Sequence, residues 1–392
     1  MEKESRALTV ALAGLAALAV AQGIGRFAFT PILPMMQGDY GLSVAAGGWL
    51  ASANYAGYLV GALSAVWLRA SSTTVIRGCL VLIAAVTAGM GLTENFPLWL
   101  VLRAAAGVAS AWVLVFVSAW SLDRLAAYGR PLYGSIVFAG VGAGIALAGG
   151  LCLLLMRSGA TSPQAWLVLG IASAAITALI APVFGTPAPA QVDRPVAAGR
   201  YKWTRDGVLI VVCYGVFGFG YIIPATFVPA MAKQIVSDPA VFGWSWPLFG
   251  LAAVASTIGT ARFMGAMSNR RVWVVCSLAM AVGVAAPALS PGLAAIMAAA
   301  VCVGATFVVV TMVGMQEARK VGGAHSRTLM AAMTAAFAAG QIAGPLTVSL
   351  LAASGVGMNA VLIAAALLLV VSAAAVAWSS MDEGKTVEAL PE

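Results

Sequence analysis

Residues 23–36 read GIGRFAFTPILPMM, and residues 218–231 read GFGYIIPATFVPAM. At an offset of 195, Gly23 falls on Gly218, Gly25 on Gly220, Pro34 on Pro229 and Met36 on Met231. The same offset puts Gly48-Trp49 over Gly243-Trp244. Further along it drifts to 200, with Gly140 over Gly340 and Gly144 over Gly344. Gly- and Ala-rich helices match one another easily, but Trp on Trp and Pro on Pro at one offset need a better reason than composition. The chain has 392 residues, so the repeat divides it into two nearly equal copies.

What surrounds these copies decides the solvent. Residues of the AVILMFWYC set make up 62% of the chain, charged residues only 9%, and mean hydropathy is +0.98. A soluble domain carries about 25% charged residues and has to cover its outside with polar groups. A soluble enzyme, a nucleic-acid binder and a disordered chain are all excluded, which leaves lipid as the solvent. Twelve apolar runs follow: 7–36, 43–68, 75–92, 96–120, 132–156 and 163–184, then 206–232, 241–266, 272–289, 292–315, 329–353 and 358–378. Nearly all reach the ~20 residues that a bilayer span needs. Ser290-Pro291-Gly292 marks the faintest break. Ala19-Val20-Ala21 imitates a signal-peptide cleavage site, but the apolar run continues to Met36, so the first span is predicted to stay attached.

The net charge of +8 is unevenly placed. With the N-terminus inside, sixteen of the 21 Lys and Arg fall in inner segments, and only Arg157 and Lys233 in outer loops. This asymmetry predicts a multi-pass protein with both termini cytoplasmic. Residues 185–205 read as a cytoplasmic linker between bundles 1–184 and 206–392, the latter ending in a short tail. The fold class expected is all-α integral membrane, twelve transmembrane helices in two pseudo-symmetric six-helix bundles. Such parallel repeats are a transporter plan, with substrate bound near the midplane between halves that rock. Pro31, Pro34, Pro224 and Pro229 are predicted to interrupt the first and seventh helices near their outer ends.

The segment Gly23 to Pro31 with Pro34, the stretch Ala53-Asn54-Tyr55-Ala56-Gly57-Tyr58-Leu59-Val60-Gly61, and Gly340-Gln341 with Gly344-Pro345 together resemble the bacterial YbfB/YjiJ-type group of the major facilitator superfamily. The superfamily resemblance spans nearly the whole chain. It implies a twelve-helix carrier working by alternating access in the bacterial cytoplasmic membrane. There are departures. The loop after the second helix, Trp67-Leu68-Arg69-Ala70-Ser71-Ser72, lacks the superfamily's gate Asp. The later copy, Gly259 through Arg262 to Arg270-Arg271, keeps the basic residues without the acid. In the fifth helix Gly140, Gly144, Gly149 and Gly150 resemble the antiporter motif without its Pro.

Three arginines fall inside or at the ends of spans, and two sit deep: Arg26 and Arg103. Arg26 lies about 4 residues past the middle of its helix, or ~6 Å, and Arg103 reaches a similar depth from the other direction. An intramembrane Arg costs about 2.5–3.5 kcal/mol on the insertion scale and usually faces protein or water. Helices one and four line the cavity in the family resembled, which implies one shared site. Apart from Asp206 at the inner edge of 206–232, no Asp or Glu lies within a span, so a carboxylate, sulfonate or phosphate of the substrate would complete both guanidinium groups. Gln22 sits one helical turn before Arg26, Asn54 and Tyr58 share a helix face, Tyr221 takes the repeat position of Arg26, and Gln341 stands beside Gly340. These seven are the expected substrate-binding residues. Plainer readings stand beside each: Arg103 bonding helix-one carbonyls, Arg26 reaching outward, the polar groups bonding neighbouring helices. Arg262 is expected at the inner gate.

The leading expectation is a secondary transporter of a small organic anion, with proton symport, exchange and uniport all left open. A proton-coupled exporter of neutral or amphiphilic compounds is the alternative, favoured by the Met-rich interior (16 Met). An enzyme is not expected: His325 is the one histidine, and the five cysteines lie singly in apolar runs without metal-ligand spacing. GVGAG at 140–144 follows no strand, and no P-loop is present, so no nucleotide or other cofactor is expected. Partners expected are the anionic substrate, the lipid bilayer and a coupling proton taken by the substrate, Glu94 or Asp39. Nucleic acid is excluded and a monomer expected.

Overall fold

A computed structural model describes residues 2–185, 201–236, 243–263, 267–290, 292–353 and 357–388. The expected linker falls almost wholly outside them, and so does the side chain of Arg262. Among the described residues every regular element is helical: α1 Glu2–Leu18, α2 Phe29–Tyr40, α3 Val44–Ser64, α4 Ser72–Met90, α5 Phe96–Ala127, α6 Gly134–Arg157, α7 Ser162–Ile180, α8 Arg205–Ile235, α9 Ser245–Phe263, α10 Asn269–Leu289, α11 Leu293–Gly322, α12 Ser326–Ala353 and α13 Met358–Glu388. Nine helical stretches among the described residues are long and apolar enough to cross a bilayer. Four of the helices, α3, α4, α5 and α10, begin where a polar side chain meets orphan amides. Ser43 accepts from Ala46 N at 3.1 Å, Ser71 from Thr74 N at 3.2 Å, Asn95 from Leu98 N at 3.0 Å and Ser268 from Arg271 N at 3.3 Å. The faint break at Ser290-Pro291-Gly292 does separate α10 from α11, and Gly292 holds φ +147, a conformation that L side chains rarely adopt.

The first span is not one rod. Between α1 and α2 the backbone widens into a π-helix, Ala19–Ile24, with Gly25 N donating to Val20 O at 2.8 Å and Phe27 N to Gln22 O at 3.1 Å. The interruption precedes Pro31 instead of following it. Pro31 has no amide for the Phe27 carbonyl, which accepts from Thr30 N at 3.2 Å instead, and the π-helix lies further upstream of that turn.

Glycines set the helix spacing. A Cβ on Gly140 would lie 2.0 Å from Leu15 O, and one on Gly340 would lie 2.2 Å from Gly215 O. Leu15 and Gly215 are 200 apart, as are Gly140 and Gly340, so one close backbone approach is built twice. The pair α3 and α5 is equally tight, a Cβ on Gly57 falling 2.0 Å from Ala104 O and one on Gly107 falling 2.1 Å from Asn54 O. Helices α6 and α9 meet through Gly142, Gly149 and Gly250 against Ala253, Pro247 and Ala146. Without water to drive association, close approach of this kind is the main source of helix cohesion in lipid.

Candidate substrate site

The π-helix turns Gln22 and Arg26 inward, and both are buried. Arg26 Nη1 donates to Gln22 Oε1 at 3.5 Å, and Nη2 donates to Gln341 Oε1 of α12. Gln341 Nε2 in turn donates to the Tyr221 hydroxyl of α8. Gln22 is anchored on the other side, its Nε2 donating to Ser110 O at 2.8 Å, while the Ser110 hydroxyl donates to Ala21 O at 2.7 Å. The guanidinium lies over the Tyr58 ring, Cζ 3.8 Å from the centroid, with Phe27 at 5.2 Å and Phe337 at 5.6 Å. Its Nε has no hydrogen-bond partner, and no carboxylate pairs with it among the described residues. A buried cation is thus held by two neutral amide oxygens and aromatic faces.

These groups surround a cavity of about 20 Å³, room for roughly one water. Gln22, Arg26, Tyr58 and Tyr221 line it, joined by Phe27, Tyr214, Phe307, Thr311 and Phe337. Gln341 sits just behind, bridging Arg26 to Tyr221. Five of the seven expected residues therefore meet in one place. The other two stand apart. Arg103 Nη1 donates to Gly25 O at 3.3 Å and Nη2 to Arg26 O at 3.2 Å, so its guanidinium caps the carbonyls that the π-helix leaves without amide partners. Its plane lies over Phe29, outside the cavity. Asn54 Nδ2 donates to Arg103 O at 2.9 Å, tying α3 to α5. Of the two arginines expected to share an anion, the geometry puts only Arg26 at the cavity, because interrupted backbone claims the donors of Arg103.

Sequence reading missed the aromatic wall. Tyr214 is legible seven residues before Tyr221, but Phe307, Phe337 and Phe27 are separated by tens to hundreds of positions, and their one legible sign is Phe337 a helical turn before Gln341. It missed the acids of Arg270 as well. Arg270 Nε meets Glu317 Oε1 at 2.7 Å, Nη2 meets Asp206, and Nη1 donates to Ser379 Oγ at 2.9 Å. The acid absent from the local motif comes from α11 and α8. Nearby, Arg319 pairs with Asp123 at 2.8 Å, joining α11 to α5, and Arg327 lies over the Phe116 ring at 5.1 Å. Asp39 accepts from Ser162 N at 2.5 Å and so caps α7.

The sequence profile of the family described as "Uncharacterised MFS-type transporter YbfB" matches residues 18–377. The chain belongs to this family of the major facilitator superfamily. It is a multi-pass membrane protein and a transporter, and the cavity around Arg26 lies within the matched region of this YbfB-type chain. No curated protein matches it. The family description leaves open what the YbfB-type transporter carries.

Proposed function

We propose that this YbfB-type transporter carries a small organic anion, a carboxylate, by alternating access between bundles 1–184 and 206–392, each of six transmembrane helices. The reading rests on one observation: a buried Arg26 guanidinium faces the cavity with an amide oxygen on each Nη and no acid beside it. Gln22 and Gln341 Oε1 stand in for the two oxygens of a carboxylate. A charged acceptor makes hydrogen bonds roughly twice as strong as a neutral one, so a carboxylate displaces the amides from the guanidinium. Tyr58 backs the cation, and Arg103 with Asn54 positions the interrupted helix that presents it. The basic asymmetry of the loops supports cytoplasmic termini in a bacterial inner membrane. Among the described residues no Asp or Glu lines this cavity.

Exporters of neutral or amphiphilic compounds are the competing class, favoured by the aromatic lining. Thermal unfolding of the detergent-purified protein separates the two. A bound ligand at 100 times its Kd adds about 2.7 kcal/mol to the folded state. Stabilisation by carboxylates and not by cationic dyes or neutral amphiphiles, lost in Arg26→Ala, is the expected result. Stabilisation by the amphiphiles alone, unchanged in Arg26→Ala, would overturn the anion reading.

A further inference from the structure

We infer that the anion is a monocarboxylate with a flat aromatic body; this rests on the carboxylate reading above and narrows it. Charge comes first. Arg26 is the one charged side chain lining the cavity among the described residues, since Arg103 is held by the carbonyls of Gly25 and Arg26. One cation in a site of low dielectric balances one negative charge. A second carboxylate would be buried without a partner, at a cost far above what neutral contacts return.

Polar capacity comes second. Thr311 gives its hydroxyl to Phe307 O at 2.9 Å, Gln22 gives its amide to Ser110 O, and the Tyr221 hydroxyl receives Gln341. Of the polar groups lining the cavity only the Tyr58 hydroxyl and Arg26 Nε lack a partner, so a ligand rich in hydroxyls would lose water at more groups than the protein can satisfy. What remains for the body of the ligand is ring surface.

That surface is ordered. Tyr221 stacks on Phe307 with centroids 5.5 Å apart and planes 4° from parallel, and on Phe337 at 5.3 Å and 9°. Phe27 meets Phe307 edge-on at 82°. The stack starts beside the guanidinium, where Phe27 and Phe337 lie 5.2 and 5.6 Å from Arg26 Cζ. The stacked rings come from α8, α11 and α12 of bundle 206–392 and Phe27 meets them from bundle 1–184, so separating the bundles opens a slot between Phe27 and the stack. With its carboxylate on Arg26, an aryl ring enters that slot face-on. A saturated ring of equal carbon number is thicker and has no quadrupole to match the walls.

The test measures binding by the purified full-length protein to benzoate, cyclohexanecarboxylate, phthalate and benzamide, with thermal unfolding as a second readout. Benzoate is expected to bind roughly tenfold tighter than cyclohexanecarboxylate, from ring contacts on two faces, and phthalate far more weakly than benzoate. Phe307→Leu and Phe337→Leu keep apolar volume, so they should fold, retain cyclohexanecarboxylate and lose most of the preference for benzoate. Equal affinity for benzoate and cyclohexanecarboxylate would overturn the aromatic class, and phthalate binding as tightly as benzoate would overturn the single charge, each leaving the anion site standing. Benzamide binding as well as benzoate would instead sink the anion reading itself. Binding of none of the three carboxylates would overturn both.

Discussion

Substituting Gly250 by Ala tests whether the contact between α6 and α9 is a moving seam. A Cβ at this position would lie 2.4 Å from Ala146 N and 2.7 Å from Gly142 O. Both are backbone atoms, which no rotamer change can move aside. Ordinary Cβ contacts begin near 3.4 Å, so the two helices must part by about 1 Å locally. Overpacking of this kind costs about 1–3 kcal/mol, against a helix-propensity gain of about 0.5–1 kcal/mol from replacing Gly. If the seam belongs to one state of a carrier, the cost falls on that state alone and shifts its population roughly 5- to 150-fold. Spin labels at Leu154 and Trp244, both solvent- or lipid-exposed near this seam, would report the separation by pulsed electron resonance in a background lacking the native cysteines. The longer-distance population should grow in Gly250→Ala. Gly150→Ala, on the partner helix α6 with nothing within 4 Å of the added Cβ, should leave the distances unchanged. An unchanged distribution in Gly250→Ala, or the same change in both variants, would refute the moving seam.

Other contacts make separate demands. Gly57→Ala and Gly107→Ala drive a Cβ into the carbonyls of Ala104 and Asn54, and each should lower stability by about 1–3 kcal/mol, read as a fall in Tm without bound ligand. Glu317→Ala removes a buried carboxylate from Arg270, which keeps Asp206 among the described residues, and should cost about 3–5 kcal/mol, enough to lose most folded protein on detergent extraction. Asp123→Asn breaks a half-exposed pair with Arg319 and should change Tm by less than about 1 kcal/mol of stability, an effect that vanishes at high salt. Arg103→Met frees the Gly25 and Arg26 carbonyls and should lower Tm, by about 1–3 kcal/mol for each carbonyl left unsatisfied, whereas Arg26→Met removes a buried cation and should cost far less stability while abolishing ligand-induced stabilisation.

The membrane class, the helix starts at Ser43, Ser71, Asn95 and Ser268, and the doubled glycine contact could all be read from residues close in sequence. Each depends on local chemistry: a cap, a run of apolar residues, a missing Cβ. The inward faces could not be read so well. A helix in lipid is apolar toward protein and toward solvent alike, so its pattern hardly marks which side faces a cavity. Phe307 and Phe337 look like any other span residues until three helices bring them around Tyr221. The π-helix was hidden for a related reason. Prolines at 31 and 34 announced an interruption but not its direction, and the extra residue in Ala19–Ile24 is what turns Arg26 toward the cavity and leaves the carbonyls that hold Arg103. The partners of Arg270 lie 64 and 47 positions away, beyond any local motif.

The link between Arg26 and Gln341 joins the first interrupted helix to α12, and through Tyr221 to α8. On the proposed reading this is where binding and opening are coupled. A ligand moves an equilibrium only by as much as it prefers one state. An anion that takes over the Nη groups of Arg26 releases Gln341, removing a bond that holds the closed arrangement while adding contacts of its own. Gln341→Leu should therefore separate the two effects. The variant loses the bridge and leaves Tyr221 without its donor, yet keeps Arg26 with one Nη free of protein acceptors. Anion affinity should be equal to that of the native protein or tighter, and the rate of exchange across a vesicle membrane should become less dependent on bound anion. Loss of anion binding in Gln341→Leu, with Arg26 in place and the protein folded, would show instead that the amide is part of the binding surface, and the coupling would have to be sought elsewhere.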